Sequence, residues 1–397
     1  MRETELPEFP FTAADGSSDR ARIARLRDEQ PISRVLLSGK PVWLVTRYAE
    51  VNAVLVDTRF SLARAAHPDV PKLGTFELPP GLILATDPPE HTRLRKLVAK
   101  VFTARRIEQL RPRVQEVTDR LLDELAGMTP PVDLIEHFTA ALPIEIICEM
   151  LGVPDADRPS FQDWTERILT VSGLPVEEVR AGWTELSDYI AELVDDKRRS
   201  PTEDLLSLLI TARDEDDRLS EEELVLFGLA LLNAGHETTK NQLANSVALL
   251  LDEHPDQWRR LVEHPGLIGP VVDELLRYSS LEAFQVGLPR VATATVELGG
   301  VTIAEGDTVL ISLSSANRDA AAFDSPDEFD PARQPNRHLA FGNGVHRCLG
   351  AQLAKIELET GLGELTRRFP QLRLTDAELP WKTGGFVRGL HELRVEW

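Results

Sequence analysis

The chain has 397 residues, 42% of them hydrophobic, which is ample for a large core. Its formal net charge of −21 argues against general binding to nucleic acid. No run reaches the ~18 consecutive apolar residues of a membrane span, residues 1–30 lack the apolar stretch of a signal peptide, and two cysteines far apart make no disulfide framework and fit a reducing cytoplasm. No Gly/Ser-rich or Pro-rich linker, internal repeat or low-complexity tract divides the chain. One domain over 1–397 is therefore expected, where length alone would suggest two or three.

A helix is expected over 20–29. Arg34 to Leu37 and Pro41 to Thr46, joined by Ser38-Gly39-Lys40, read as a β-hairpin. Helices follow over 90–126, with a break near Thr103 or at Arg111 before Pro112, then over 140–151, 157–170, 177–198 and 203–213. The stretch 220–251 is the clearest. Ser220-Glu221-Glu222-Glu223 is a capping box. Apolar residues then run from Leu224 to Leu251 on nearly all sides. A helix of this length spans ~45 Å at 1.5 Å per residue, and its all-round apolarity places it in the middle of the molecule. Helices over 256–263 and 267–279 come next. Val296-Glu297-Leu298 and Val301-Thr302-Ile303 flank Gly299-Gly300 as a second hairpin, followed by a strand from Thr308 to Ser312. A last helix covers 351–369. The fold class is mainly α with a small β region, about 32–46 and 284–312.

The ten residues Phe341-Gly342-Asn343-Gly344-Val345-His346-Arg347-Cys348-Leu349-Gly350 carry the most chemistry. They set a cysteine in a glycine-studded loop just before the helix that starts at Ala351. Unpaired N–H donors and the positive end of the helix dipole should depress the thiol pKa, which suits a metal ligand. The glycines allow positive φ and the close approach of something flat. Cys148, in the apolar run Ile144 to Met150, reads instead as core.

The spacing Phe-x-x-Gly-x-x-x-Cys-x-Gly resembles the haem-binding loop of the cytochrome P450 family. The likeness covers nearly the whole chain, from about residue 30 onward. It implies the P450 fold, with the long central helix over a haem b and the thiolate loop on the opposite side. Cys348 would be the axial ligand of the iron, an arrangement that pushes electron density toward O–O cleavage, with Phe341, Gly342 and Gly350 shaping the loop at the cofactor.

Four further motifs match the family. Ala234-Gly235-His236-Glu237-Thr238-Thr239 interrupts the long helix, where glycine costs about 1 kcal/mol. The resemblance implies that Ala234 and Gly235 open a groove over the haem and that Glu237 and Thr238 deliver protons during oxygen activation. Glu274 and Arg277, three apart, share a helix face and can pair; the resemblance makes them a buried structural ion pair joined by Arg333. His91 and Arg95, four apart, reach one side of a helix and, with Arg290 and His346, are the implied partners of the haem propionates. Substrate contacts are implied at Leu78, Leu82, Ile83, Phe227, Ala230, Leu231, Asn233, Ala234, Ala283, Phe284, Gln285, Val286, Phe386 and Val387. The mixture is apolar, with Asn233 and Gln285 as polar anchors, and suits a medium or large, partly oxygenated molecule.

The loop departs from the commonest bacterial pattern at two positions. Asn343 stands where His is frequent, and Arg347 where an aromatic is frequent. Arg347 adds a cation beside the thiolate, and residues 91–107 are basic with no Asp or Glu. Lys96, Lys100, Arg105, Arg106 and Arg347 are therefore expected to form a docking face for an acidic ferredoxin. No Gly-x-Gly-x-x-Gly fingerprint or flavin domain is present, so ferredoxin and ferredoxin reductase are expected to supply electrons. The lack of an N-terminal anchor points to a bacterial, actinobacterial-type member working in the cytoplasm. The implied activity is that of a monooxygenase that hydroxylates, epoxidises or couples an apolar substrate while tailoring a secondary metabolite. Two other readings stay open: a nitric oxide reductase using nicotinamide directly, and a haem-binding sensor.

Overall fold

A computed structural model describes residues 6–12, 19–75, 78–99, 102–216 and 219–397. Its helices are α1 (Arg20–Glu29), α2 (Tyr48–Val56), α3 (Leu62–Ala65), α4 (Glu90–Ala99), α5 (Ala104–Glu108), α6 (Arg111–Ala126), α7 (Ala141–Leu151), α8 (Arg158–Ile168), α9 (Val176–Arg199), α10 (Leu205–Asp216), α11 (Glu221–Asp252), α12 (Pro255–Glu263), α13 (Ile268–Tyr278), α14 (Leu313–Ala316) and α15 (Ala351–Arg368). The break in 90–126, expected near Thr103 or at Arg111, occurs at both places. Thr103 caps α5 by accepting from the Arg106 N–H, and Pro112 sits in the first turn of α6, where its missing N–H is harmless.

Helix α11 organises the rest. Its capping box is formed: Ser220 Oγ accepts from the Glu223 N–H at 3.1 Å, and Glu223 Oε2 accepts from the Ser220 N–H at 2.7 Å. Buried residues occur all round it, and α7, α9 and α15 pack directly against it. The periodicity reading of a central helix holds.

Six strands form the main sheet, in the order β1 (Glu8–Phe9), β2 (Ile32–Leu37), β3 (Lys40–Val45), β9 (Thr308–Ile311), β6 (Arg290–Ala292), β4 (Phe60–Ser61). The β2–β3 turn puts Ser38 at φ 52° and Gly39 at φ 72°, the paired left-handed geometry of a tight hairpin. β7 (Val296–Leu298) and β8 (Val301–Ile303) make a separate hairpin. A third sheet, β10 (Arg373–Leu374), β11 (Arg394–Glu396) and β5 (Val132–Asp133), has strands too short to be read from periodicity. Helix α2 was not expected either. Val51, Val54 and Val56 weaken its intrinsic propensity, and packing of Val51, Val54 and Leu55 into the core under the sheet decides its conformation. Among the described residues no helix is long and apolar enough to cross a membrane.

One buried charge arrangement braces this scaffold. Arg277 on α13 grips Glu274 with two bonds, Nε to Oε2 at 2.8 Å and Nη2 to Oε1 at 2.7 Å, both side chains having no accessible surface. It also donates to the carbonyls of Asn317, Pro326 and Glu328. Arg333 Nε and Asn336 Nδ2 complete the carboxylate at 3.3 and 3.1 Å, so the segment leading to the cysteine loop is pinned to α13. Glu357 on α15 is different: burial alone pushes its carboxyl up to about 8, so it stays neutral at pH 7.

Removing Glu274 leaves two buried guanidiniums unpaired, so Glu274→Ala is expected to lose about 3–5 kcal/mol, read from the denaturant midpoint. Glu357 gives a pH signature of defined sign. Below the unfolded carboxyl pKa the wild type and Glu357→Gln should be equally stable. As pH rises from there to about 8 the unfolded state releases a proton that the native state keeps, so the wild type should fall progressively behind Glu357→Gln. Parallel denaturation curves at pH 5 and pH 9 measure this.

Candidate active site

The loop before α15 is built by backbone constraints. The Cys348 N–H donates to Phe341 O at 2.9 Å, closing the loop on itself. Gly342 and Gly344 take φ of 65° and 70°. At Gly344 a Cβ would lie 2.4 Å from Leu55 O, so glycine is required twice over, by φ and by the end of α2. Asn343 has a local task. Its Oδ1 accepts from the Gly344 N–H at 2.8 Å, and its Nδ2 donates to Asn52 Oδ1 on α2 at 2.8 Å.

Cys348 is exposed, whereas Cys148 is buried in the α7 core and its thiol is pushed up to about 12 by burial. The expected depression of the Cys348 pKa does not hold for the polypeptide alone. Crowding by protein raises it, and the Gly350 N–H, Arg95, Arg347 and the Ala351 N–H offset only part of that. A metal ion bound at sulfur displaces the thiol proton outright.

Beside the loop, α4 presents His91 and Arg95 one turn apart. Arg95 Nη2 donates to Arg347 O at 2.5 Å, tying α4 to the cysteine loop. The rings of His91 and His346 lie 4.1 Å apart, and the Nδ1 of each is buried without a partner. Burial, and then the charges of His91, Arg290 and Arg95, push His346 down to about 3. Burial and then Arg95 also lower His91. Arg290 on β6 is buried, is pushed down to about 10 by burial, and makes only a 3.4 Å bond to Leu288 O. Asp87 is the one carboxylate acting on Arg290, and it is already occupied by Ser61 Oγ and the Leu62 N–H. Four cationic or imidazole side chains thus converge, and among the described residues no free carboxylate stands beside them. A planar group carrying two carboxylates, with a metal that a thiolate can reach, fits these residues; haem has both.

On α11, Ala234 is exposed in the middle of an otherwise buried helix. Gly235 does not share that face. A Cβ there would meet Ile147 Cγ1 at 2.8 Å, so the glycine serves close packing of α11 on α7, and Ala234 is the exposed residue of the pair. The Thr238 hydroxyl donates back to Ala234 O at 2.7 Å. Glu237 is buried and turned to other partners: Lys240 Nζ at 2.9 Å on Oε2 and Asn241 Nδ2 at 2.8 Å on Oε1. Burial acts to raise its pKa, but Lys240, His236 and Lys382 more than offset this and hold it ionised. Burial keeps the adjacent His236 neutral, at about 4. No hydrogen bond joins Glu237 to Thr238. Lys240 and Asn241 were overlooked in the sequence, although their spacing of three and four from Glu237 is the signal for helix-face partners.

The expected substrate contacts fall into two apolar groups. Leu82, Ile83, Phe227, Ala230 and Leu231 pack in one core cluster, Val286, Phe284 and Phe386 in another, and Leu78 adjoins both. A bridge between Glu282 and Val387, and the Ala283 N–H to Phe386 O bond at 3.4 Å, bring 281–287 against the C-terminal turn. Gln285 is buried at φ 59°, and Asn233 Oδ1 is buried without a partner. Lys96, Arg105, Arg106 and Arg347 are exposed; Lys100 lies outside the described residues.

A loop thiol at a helix start, converging N–H and guanidinium groups beside it and an open position on a central helix are an arrangement suited to a haem-thiolate oxidoreductase. The chain belongs to the cytochrome P450 family, whose model matches residues 20–264 and 267–393. It is 45% identical over the full length of both chains to nocardicin C N-oxygenase of Nocardia uniformis subsp. tsuyamanensis. It is 42% identical, again over the full length of both, to mycinamicin IV hydroxylase/epoxidase of Micromonospora griseorubida. The solved LnmA cytochrome P450 hydroxylase from the leinamycin pathway of Streptomyces atroolivaceus superposes with a TM-score of 0.90 at 43% identity, covering 99% of this chain and 100% of that one. The protein is a monooxygenase of this family.

Gly344→Ala combines strained φ with overlap on Leu55 O, whereas Gly342→Ala has the same kind of φ and open space. The backbone strain is worth about 1–2 kcal/mol. Thermal denaturation is expected to show that loss for Gly342→Ala and a larger one for Gly344→Ala.

Proposed function

We propose that the chain binds haem b with Cys348 as its thiolate ligand and oxidises a medium or large, mainly apolar secondary metabolite by hydroxylation, epoxidation or coupling. The observation that carries the reading is the convergence of His91, Arg95, Arg290 and His346, buried or half-buried, on a place with no acceptor of its own. These four residues hold the propionates. Phe341, Gly342 and Gly350 shape the loop, and Ala234 leaves room above the ring. When bound, the haem supplies the redox chemistry that activates dioxygen. The polypeptide supplies the protons and the dry pocket. Thr238 Oγ1 carries the proton next to the open position, and must leave Ala234 O to donate it elsewhere. Glu237, ionised at rest, can relay a proton only after its carboxylate releases Lys240 or Asn241 and takes up a proton from water.

The relatives named above, an N-oxygenase and a hydroxylase/epoxidase, support a natural-product substrate. Leu82, Ile83, Phe227, Ala230, Phe284, Phe386 and Val387 form the apolar wall, with Ala283 beside them and Asn233 and Gln285 as polar anchors. Electrons come from a ferredoxin and its reductase, docking near Lys96, Arg105, Arg106 and Arg347.

Cys348→Ala should abolish the thiolate-type carbon monoxide spectrum of the reduced protein. Thr238→Ala should lower product formed per nicotinamide consumed about tenfold or more, with binding spectra unchanged. Oxygen uptake with ferredoxin, and no nitric oxide consumption with NADH, is the expected outcome; the reverse would replace this reading with a reductase. Arg347→Glu should slow reduction by ferredoxin at low salt.

A further inference from the structure

Glu282 is an acid on the segment 281–287 that the redox site does not use. Its carboxylate reaches out of its own segment to α14. Oε1 accepts from the Leu313 N–H at 3.2 Å, and Oε2 accepts from the Ser314 N–H at 2.8 Å. Ser312 Oγ accepts from the Ser315 N–H at 3.1 Å. The first three N–H groups of this four-residue helix are therefore all satisfied, two of them by Glu282. Helix α14 is itself fixed. The Ser312 N–H donates to Val45 O on β3 at 2.9 Å, and Arg27 Nη1 donates to Ser315 O at 3.4 Å.

The same residue opens a tight turn. The Gln285 N–H donates to Glu282 O at 3.1 Å, which sets Ala283 and Phe284 at the two central positions, and Gln285 follows at φ 59°. Backbone bonds tie the segment at its ends: the Arg388 N–H to Leu281 O at 2.8 Å, the Ala283 N–H to Phe386 O at 3.4 Å and the Gly287 N–H to Ile311 O at 3.0 Å. The Glu282 carboxylate adds a tie to α14, and through it to the main sheet. Its charge is finely balanced. The residue keeps part of its surface, but burial of the carboxyl group pushes its pKa up to about 7, against the Ser314 N–H, the Ser314 hydroxyl and the Leu313 N–H. Among the described residues no charged group contributes to this shift. β9 and α14 carry no charged residue. Arg27 is turned to Ser315, Arg388 lies over Trp381 at 3.5 Å, and Arg290 is turned to Leu288 O. An ionised carboxylate accepts at both oxygens, whereas a protonated one points an O–H toward groups that are themselves donors. The tie is therefore strongest above pH 7 and weakens as pH falls through that value.

We propose that Glu282 is a positioning residue for substrate: its carboxylate holds the Ala283–Phe284 turn in place against an apolar ligand, so that the preference for bulky over small ligands rises with pH. This rests on the reading of Ala283 and Phe284 as pocket wall given under the proposed function. Binding that needs the turn in place favours the ionised carboxylate, and by linkage the ionised carboxylate favours binding.

Spectral titration of the full-length, haem-loaded protein with 4-phenylpyridine, and separately with pyridine, at pH 6.5 and pH 8.5 tests this. Both ligands present the same nitrogen to the iron and are largely uncharged over that range. The ratio of their Kd values therefore isolates the wall from the iron and from other groups that titrate near it. In the wild type the preference for 4-phenylpyridine should rise about threefold between the two pH values. Glu282→Gln should leave the ratio flat. Ser314→Ala removes one donor to the carboxylate and should move the rise to higher pH; being milder, it remains informative if Glu282→Gln folds poorly. Glu357→Gln removes the other carboxyl that burial pushes up and should keep the rise. A ratio indifferent to pH in the wild type, a rise that survives in Glu282→Gln, or its loss in Glu357→Gln would each overturn the proposal. A normal Soret shift with a flat ratio removes the proposal alone, whereas no Soret shift with either ligand removes the haem reading and the proposal with it.

Discussion

Polar N–H and guanidinium groups held out of water with no free carboxylate to meet them are the constraint on which the site depends. His91, Arg95, Arg290 and His346 come from a helix, a strand and a loop that are each anchored elsewhere, so none can retreat to solvent. The fold carries the desolvation of these groups, and under the proposed reading a dianionic cofactor relieves it. Cofactor affinity and native stability are therefore two readings of one free energy. The Glu274–Arg277–Arg333 arrangement obeys the opposite rule, with every oxygen and most N–H groups matched. The molecule places unsatisfied charge where a ligand belongs and satisfied charge where rigidity is needed.

Helix α11 has to be close-packed and open at neighbouring positions. Gly235 lets α7 approach, while Ala234, the residue before it, keeps free surface. The polar stretch that follows divides in the same way. Thr238 stays near the open face and satisfies itself on its own helix, whereas Glu237 turns into the protein and is held ionised by Lys240. A carboxylate kept ionised by a buried lysine is an acceptor in waiting.

Long elements were legible because periodicity and caps act over many residues. The capping box at Ser220 and the stop before Pro255 bounded α11 to within a residue or two. The strands β5, β10 and β11, and α2 with its valines, take their conformation from partners distant in sequence, which no local pattern encodes. At the site, spaced motifs identified which residues to examine, since glycine and cysteine at fixed offsets leave few alternatives. What those residues do with their neighbours was less accessible. The thiol pKa turned on a balance between crowding and N–H donors. The direction of the absent Gly235 Cβ, and the choice by Glu237 of Lys240 over Thr238, depend on helix rotation, which spacing alone leaves open.

The contact of Gly344 with Leu55 O, and the Asn343 bond to Asn52, register the cysteine loop against α2 as well as against its own helix. α2 follows β3 directly, and β3 is an inner strand of the main sheet. The position of the sulfur is thus indexed to the β region, some three hundred residues earlier in the chain. A loop transplanted between relatives would carry its ligand and lose that reference. Chimeras that exchange the cysteine loop and the segment 40–56 together are the natural units of recombination, and insertions within α2 would be transmitted to the Cys348 sulfur.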